Sequence, residues 1–210
     1  AGRRLVGPRA GLLAALFITV SPLHLVHSYY ITVDSPMTFW ITLSFLASLS
    51  IYQAKARKPW SYVLNGVFIG LAISTKYNAV WAIVPMLVAH ILNSRSLDRP
   101  IRDRCLKIGL ACVPLAFLIS APYSLLDVRN FARSVRYERL HYSQGHEFAE
   151  SQYTSHPYYA HALIRGFGGV QTALAGMGAI LLWQRQRRMF YLLCCFPLVY
   201  YLFVGSYRVR

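Results

Sequence analysis

The chain has 210 residues, 56% of them hydrophobic and only 14% charged, against roughly a quarter charged in an ordinary soluble domain. A net charge of +15 raises nucleic acid as a partner. The basic residues, however, fall in short clusters between long apolar runs, the pattern of loops that fix membrane topology, so no nucleic acid is expected and a soluble domain is excluded.

In chain order, the pattern predicts an all-α, polytopic transmembrane helical bundle of about seven spans, each near the roughly 20 apolar residues that a bilayer core of about 30 Å needs. Residues 1–210 read as a single membrane domain. Arg3, Arg4 and Arg9 precede a first span at about 11–29, and a second follows at about 35–52. Between them lies Asp34, followed by Ser35 and Pro36. Asp34 or Ser35 caps the next helix, or Asp34 is a surface carboxylate that coordinates a divalent cation or positions an acceptor, since carboxylates near membrane depth are costly and mark sites. Lys55, Arg57 and Lys58 close this part.

The apolar stretch from Ser61 to Leu92 is too long for one crossing, since about 32 helical residues span about 48 Å. Its middle, Ser74-Thr75-Lys76-Tyr77-Asn78, is polar. The clusters at Arg3, at Lys55, at Arg95 to Lys107 and at Arg185 to Arg188 share one side only if the stretch crosses twice. A hairpin of spans 61–75 and 78–92 is therefore expected, with Lys76 at its outer tip. Lys76 either snorkels to the interface or offers a fixed charge to a phosphate, with Tyr77 beside it.

A further span at about 105–121 leads to an outer loop over 122–159, and spans at about 160–183 and 189–204 follow. A loop of about 40 residues is uncommon unless functional or disordered, and its aromatic and histidine content argues against disorder. Phe131, Val135 and Leu140 with Arg129, Arg133, Arg136 and Arg139 predict a helix in the membrane interface, facing anionic headgroups. His141, Tyr142, His146, Glu147 and Glu150 come next. The histidines and glutamates raise a metal site, but their spacing matches no closed zinc pattern, and surface histidines of a folded loop explain them as well. The cysteines at 105, 112, 194 and 195 lie in or beside apolar runs and form no disulfide framework. Both chain ends fall in mid-pattern, from which an internal fragment of a longer protein is expected.

The runs SPLHLVHSYYITVDSPMTFW, GLAISTKYNAVWAIVPML, APYSLLDVRNF, HYSQGHEFAE and FGGVQTALAGMGAILL, in that order, resemble glycosyltransferase family 39. These are the protein-O-mannosyltransferase and aminoarabinose-transferase-like enzymes of the GT-C superfamily. Order and spacing carry the likeness, because each motif is short. The resemblance implies transfer of a sugar from a polyprenyl-phosphate-linked donor to a lipid, protein or glycan acceptor on the outer, periplasmic or luminal face. It implies a multi-pass protein in contact with membrane lipids, of the bacterial inner (plasma) membrane. The family's principal carboxylate lies in an earlier outer loop and is expected upstream of Ala1, which gives Asp34 a supporting catalytic role or a share in holding a divalent cation and leaves these residues alone inactive. Lys76 and Tyr77 match the donor-phosphate position, and His141, Tyr142, His146 and Glu147 fall in the segment that shapes the cavity. The competing reading is a polytopic transporter or flippase, which a broken hairpin also suits.

Overall fold

The computed structural model describes residues 2–30, 32–56, 58–93, 103–144 and 155–206; the side chains of 139, 141–144 and 155 lie outside that description. The described residues are all-helical. The elements are α1 (Gly2–Leu5), α2 (Pro8–Thr19), α3 (Pro22–Tyr29), α4 (Asp34–Gln53), α5 (Pro59–Thr75), a 3-10 helix (Tyr77–Ala82), α6 (Ile83–Asn93), α7 (Arg104–Ser120), α8 (Tyr123–Leu126), α9 (Val128–Gln144), α10 (Ser155–Phe167), α11 (Gly169–Arg185) and α12 (Arg187–Gly205).

The core lies where α4, α5, α6, α7 and α12 meet, around Leu49, Ile51, Tyr62, Ile69, Met86, Ala89, Leu106 and Leu192. Two features set the close approach of α5 to its neighbours. Gly66 and Gly70 are one turn apart and face the α7 backbone. A Cβ on Gly66 would collide with the Gly109 carbonyl oxygen, and one on Gly70 would sit 2.5 Å from that of Val113. Small residues at this spacing let helix backbones touch. On the α4 side, the buried Asn65 amide bridges the hydroxyls of Ser44 and Ser48 at 2.9 and 2.8 Å. Interhelical hydrogen bonds of this kind are worth about 0.6 kcal/mol each on average in a membrane.

The stretch from Ser61 to Leu92 folds back on itself. Tyr62 Oη lies 2.7 Å from His90 Nδ1, whereas one continuous helix would hold these residues about 42 Å apart. Lys76 is the fold point, in extended backbone between α5 and the 3-10 helix.

Contacts at the helix ends sort the charge clusters. The Arg4 guanidinium donates to the Ser50 hydroxyl at 2.7 Å, and the Gln53 amide donates to the Arg4 carbonyl at 3.0 Å, so α1 sits at the C-terminal end of α4 beside Lys55. The Asn93 amide donates to the Ala54 carbonyl at 3.1 Å and brings the end of α6 there too. Running parallel to α5, α7 starts at this end, where the Asp103 carboxylate caps it by accepting from the N–H groups of Cys105 and Leu106. Helix α12 starts there as well, since Leu192 joins Leu49, Ile51 and Leu106 while Phe203 lies 5.1 Å from Trp81 near the hairpin tip. The described members of all four basic clusters therefore share one end, and Asp34 and Lys76 share the other.

Two expected spans differ in shape. The stretch at 11–29 is divided into α2 and α3, bent by 58° where Ser21 precedes Pro22, whose ring removes a helical donor. The stretch at 160–183 is divided at Gly168, whose φ of 87° suits glycine, and α10 meets α11 at 107°. Among the described residues, α12 alone is long and apolar enough to cross a membrane unaided, and counting each bent pair as one span makes three. Helices α5 and α7 have 17 residues each, about 25 Å of rise.

Candidate active site

Helices α4 and α5 are antiparallel and joined by residues 54–58, so the start of one lies level with the end of the other. That register brings Asp34, the first residue of α4, to Lys76, the first residue past α5. Lys76 Nζ lies 2.7 Å from Asp34 Oδ1, and the two side chains are 28% and 38% exposed. The ion pair therefore sits at the rim of the bundle, within reach of a ligand. Asp34 does not cap α4: Val33 occupies that position, and no side chain caps it. Its carboxylate still lies in the first helical turn, where the backbone dipole favours negative charge.

Neighbouring contacts hold the pair in place. The Ser35 hydroxyl donates to the His27 carbonyl at 3.0 Å, tying α4 to the end of α3, and the Thr38 hydroxyl donates to the Asp34 carbonyl at 2.7 Å. Tyr77 meets Phe131 of α9 edge to face at 6.1 Å, and Phe131 lies 6.2 Å from Phe117 near the end of α7. A helix is present over the expected residues as α9, and Phe131 places it against the hairpin tip. Asp127 takes a capping role there, accepting from the Asn130 backbone N–H at 3.3 Å and the Asn130 amide at 2.6 Å.

Asp34 and Lys76 are thus brought together, with Tyr77 next to Lys76 in the chain and its ring on Phe131. His141 and Tyr142 fall in the last turn of α9, with side chains outside the described residues, and His146 and Glu147 lie outside the described residues altogether. Sequence reasoning passed over two polar atoms close in sequence to the pair. The Thr32 hydroxyl and the Trp81 indole N–H are buried without a partner among the described residues, and such atoms call for an explanation. Neither carries a sequence signal beyond its position beside Asp34 or Lys76.

Chemically, the pair offers one ammonium for an anion and one oriented carboxylate. The Asp34 carboxylate faces the Lys76 ammonium, and no group of three His, Cys, Asp or Glu side chains converges among the described residues.

Residues 1–123, a span that includes Asp34, Lys76 and Tyr77, match the family model described as dolichyl-phosphate-mannose-protein mannosyltransferase. No curated protein and no solved structure matches the chain.

Proposed function

Because this chain belongs to the dolichyl-phosphate-mannose-protein mannosyltransferase family of membrane glycosyltransferases, whose donors are polyprenyl-phosphate sugars, we propose that Asp34, Lys76 and Tyr77 form part of its donor site. The site faces the outer, periplasmic or luminal side, and the acceptor is a hydroxyl of a lipid, protein or glycan. The observation that carries this reading is the Asp34–Lys76 ion pair at the end of the bundle opposite the basic clusters.

The chemistry follows from the substrate. A polyprenyl chain stays in the bilayer, so its phosphate arrives at the ends of the helices, where Lys76 can meet it. The acceptor oxygen attacks the anomeric carbon, the bond from that carbon to the phosphate oxygen breaks, and its electron pair stays on the phosphate. Lys76 stabilises the charge that develops there, with the Tyr77 hydroxyl as a further donor. Asp34 holds Lys76 in place, and the acceptor proton passes to a different carboxylate. Seven passages between the two ends, made by α2 with α3, α4, α5, the 3-10 helix with α6, α7, α10 with α11, and α12, complete the proposed topology of a bacterial inner-membrane protein.

The test is transfer of radiolabelled sugar from polyprenyl-phosphate donors in membranes carrying the full-length protein. Transfer by the wild type and its collapse in Asp34→Asn at unchanged protein level are expected. Wild-type activity in the variant would remove Asp34 from the site. No transfer from any donor, alongside uptake or flipping of labelled lipid, would favour the transporter reading.

A further inference from the structure

Beyond the donor site, we propose that α8 and α9 form a docking surface for anionic phospholipid headgroups of the outer leaflet. This inference rests on the placement of the chain in a membrane and not on the transfer chemistry, and, Tyr123 apart, these elements lie outside the residues that match the family.

Arg129, Arg133 and Arg136 recur at i, i+4 and i+7 along α9, which places them on one face. All three are exposed, and none has a carboxylate within ion-pair distance among the described residues. Among the described residues, Arg133 donates to the neutral Asn130 side chain, at 3.3 Å. Together with Arg139, α9 carries four arginines against one glutamate, Glu138. The charge clusters that orient a membrane protein gather at the opposite end of this bundle, so these arginines are not needed for topology. A positive face with no carboxylate partner among the described residues calls for an external anion.

Position decides which anion. Phe131 packs on Phe117, three residues before the end of α7, and on Tyr77 at the hairpin tip. The helix is therefore held level with the helix ends, at headgroup depth. Immediately before it, α8 exposes Tyr123, Leu125 and Leu126 at 75, 62 and 76%, and Val128 is 58% exposed. Apolar residues beside a row of arginines match the boundary between acyl chains and phosphates, whereas an acidic protein segment would meet the arginines and leave the leucines in water.

The test uses the full-length chain in nanodiscs of phosphatidylcholine with phosphatidylglycerol, carrying a benzoylphenylalanine cross-linker in place of Tyr137. Lipid adducts are read by mass spectrometry. Adducts should favour phosphatidylglycerol beyond its share of the bilayer, and the preference should fall by about fivefold for each arginine replaced by glutamine. Arg129→Lys, Arg133→Lys and Arg136→Lys together should keep it. The same cross-linker at Ile180, an exposed apolar position of α11, should give adducts without headgroup preference in every variant, which shows that each is folded in the bilayer. An unchanged preference in the triple glutamine variant, its loss in the triple lysine variant, or no lipid adduct at residue 137 would each overturn the proposal.

Discussion

The Asp34–Lys76 pair, about one-third exposed, contributes little to folding, because ion pairs open to solvent are worth about 0–1 kcal/mol. Stability and activity should therefore separate at this site. Lys76→Met should lower sugar transfer by about 10²- to 10³-fold while leaving thermal stability in detergent nearly unchanged. The Asp34→Asn, Lys76→Met double variant should cost little more than the worse single variant, since residues that act as a unit are not additive. Multiplying losses in a kinetic cycle would show that the two act independently. Both residues were legible in the sequence as polar breaks in apolar runs, and the clusters set both at the end away from the basic loops. Their direct contact was not foreseen, although two antiparallel helices joined by a five-residue link bring positions 34 and 76 level. The capping account of Asp34 fails because its carboxylate turns toward Lys76. Thr32 and Trp81 were out of reach of sequence reasoning, because a single hydroxyl or indole leaves no periodic trace.

Among the elements, the hairpin and α9 were readable, one from length and charge and the other from amphipathic spacing. The bends at Ser21 and Gly168 were passed over, because the expected spans followed hydrophobicity alone, although Pro22 and the Gly168-Gly169 pair are breakers that announce both. The Gly66 and Gly70 contact is the most demanding piece of packing. Gly66→Ala should drive α5 away from α7 at a cost of about 1–3 kcal/mol, read as a lower melting temperature; an unshifted melt would mean that the two backbones are not closely apposed. Asn65→Leu strands the buried Ser44 and Ser48 hydroxyls and should destabilise by about 1–3 kcal/mol. Its effect on transfer should be no larger than its effect on the amount of folded protein.

For the whole molecule, the separation of basic clusters from the Asp34–Lys76 end makes a topology that labelling can check. In intact cells, a membrane-impermeant maleimide should modify Val33→Cys and Asn130→Cys, while Lys58→Cys and Arg187→Cys should react only after permeabilisation. Labelling of both sets in intact cells, or of neither, would reject the arrangement. The hairpin has a consequence for biogenesis. Tyr62 and His90, both 1% exposed, meet across its two arms. If either arm partitioned into lipid alone, it would carry a polar side chain into hydrocarbon. The two arms are better released from the insertion machinery together, already paired, with Lys76 translocated at the leading turn.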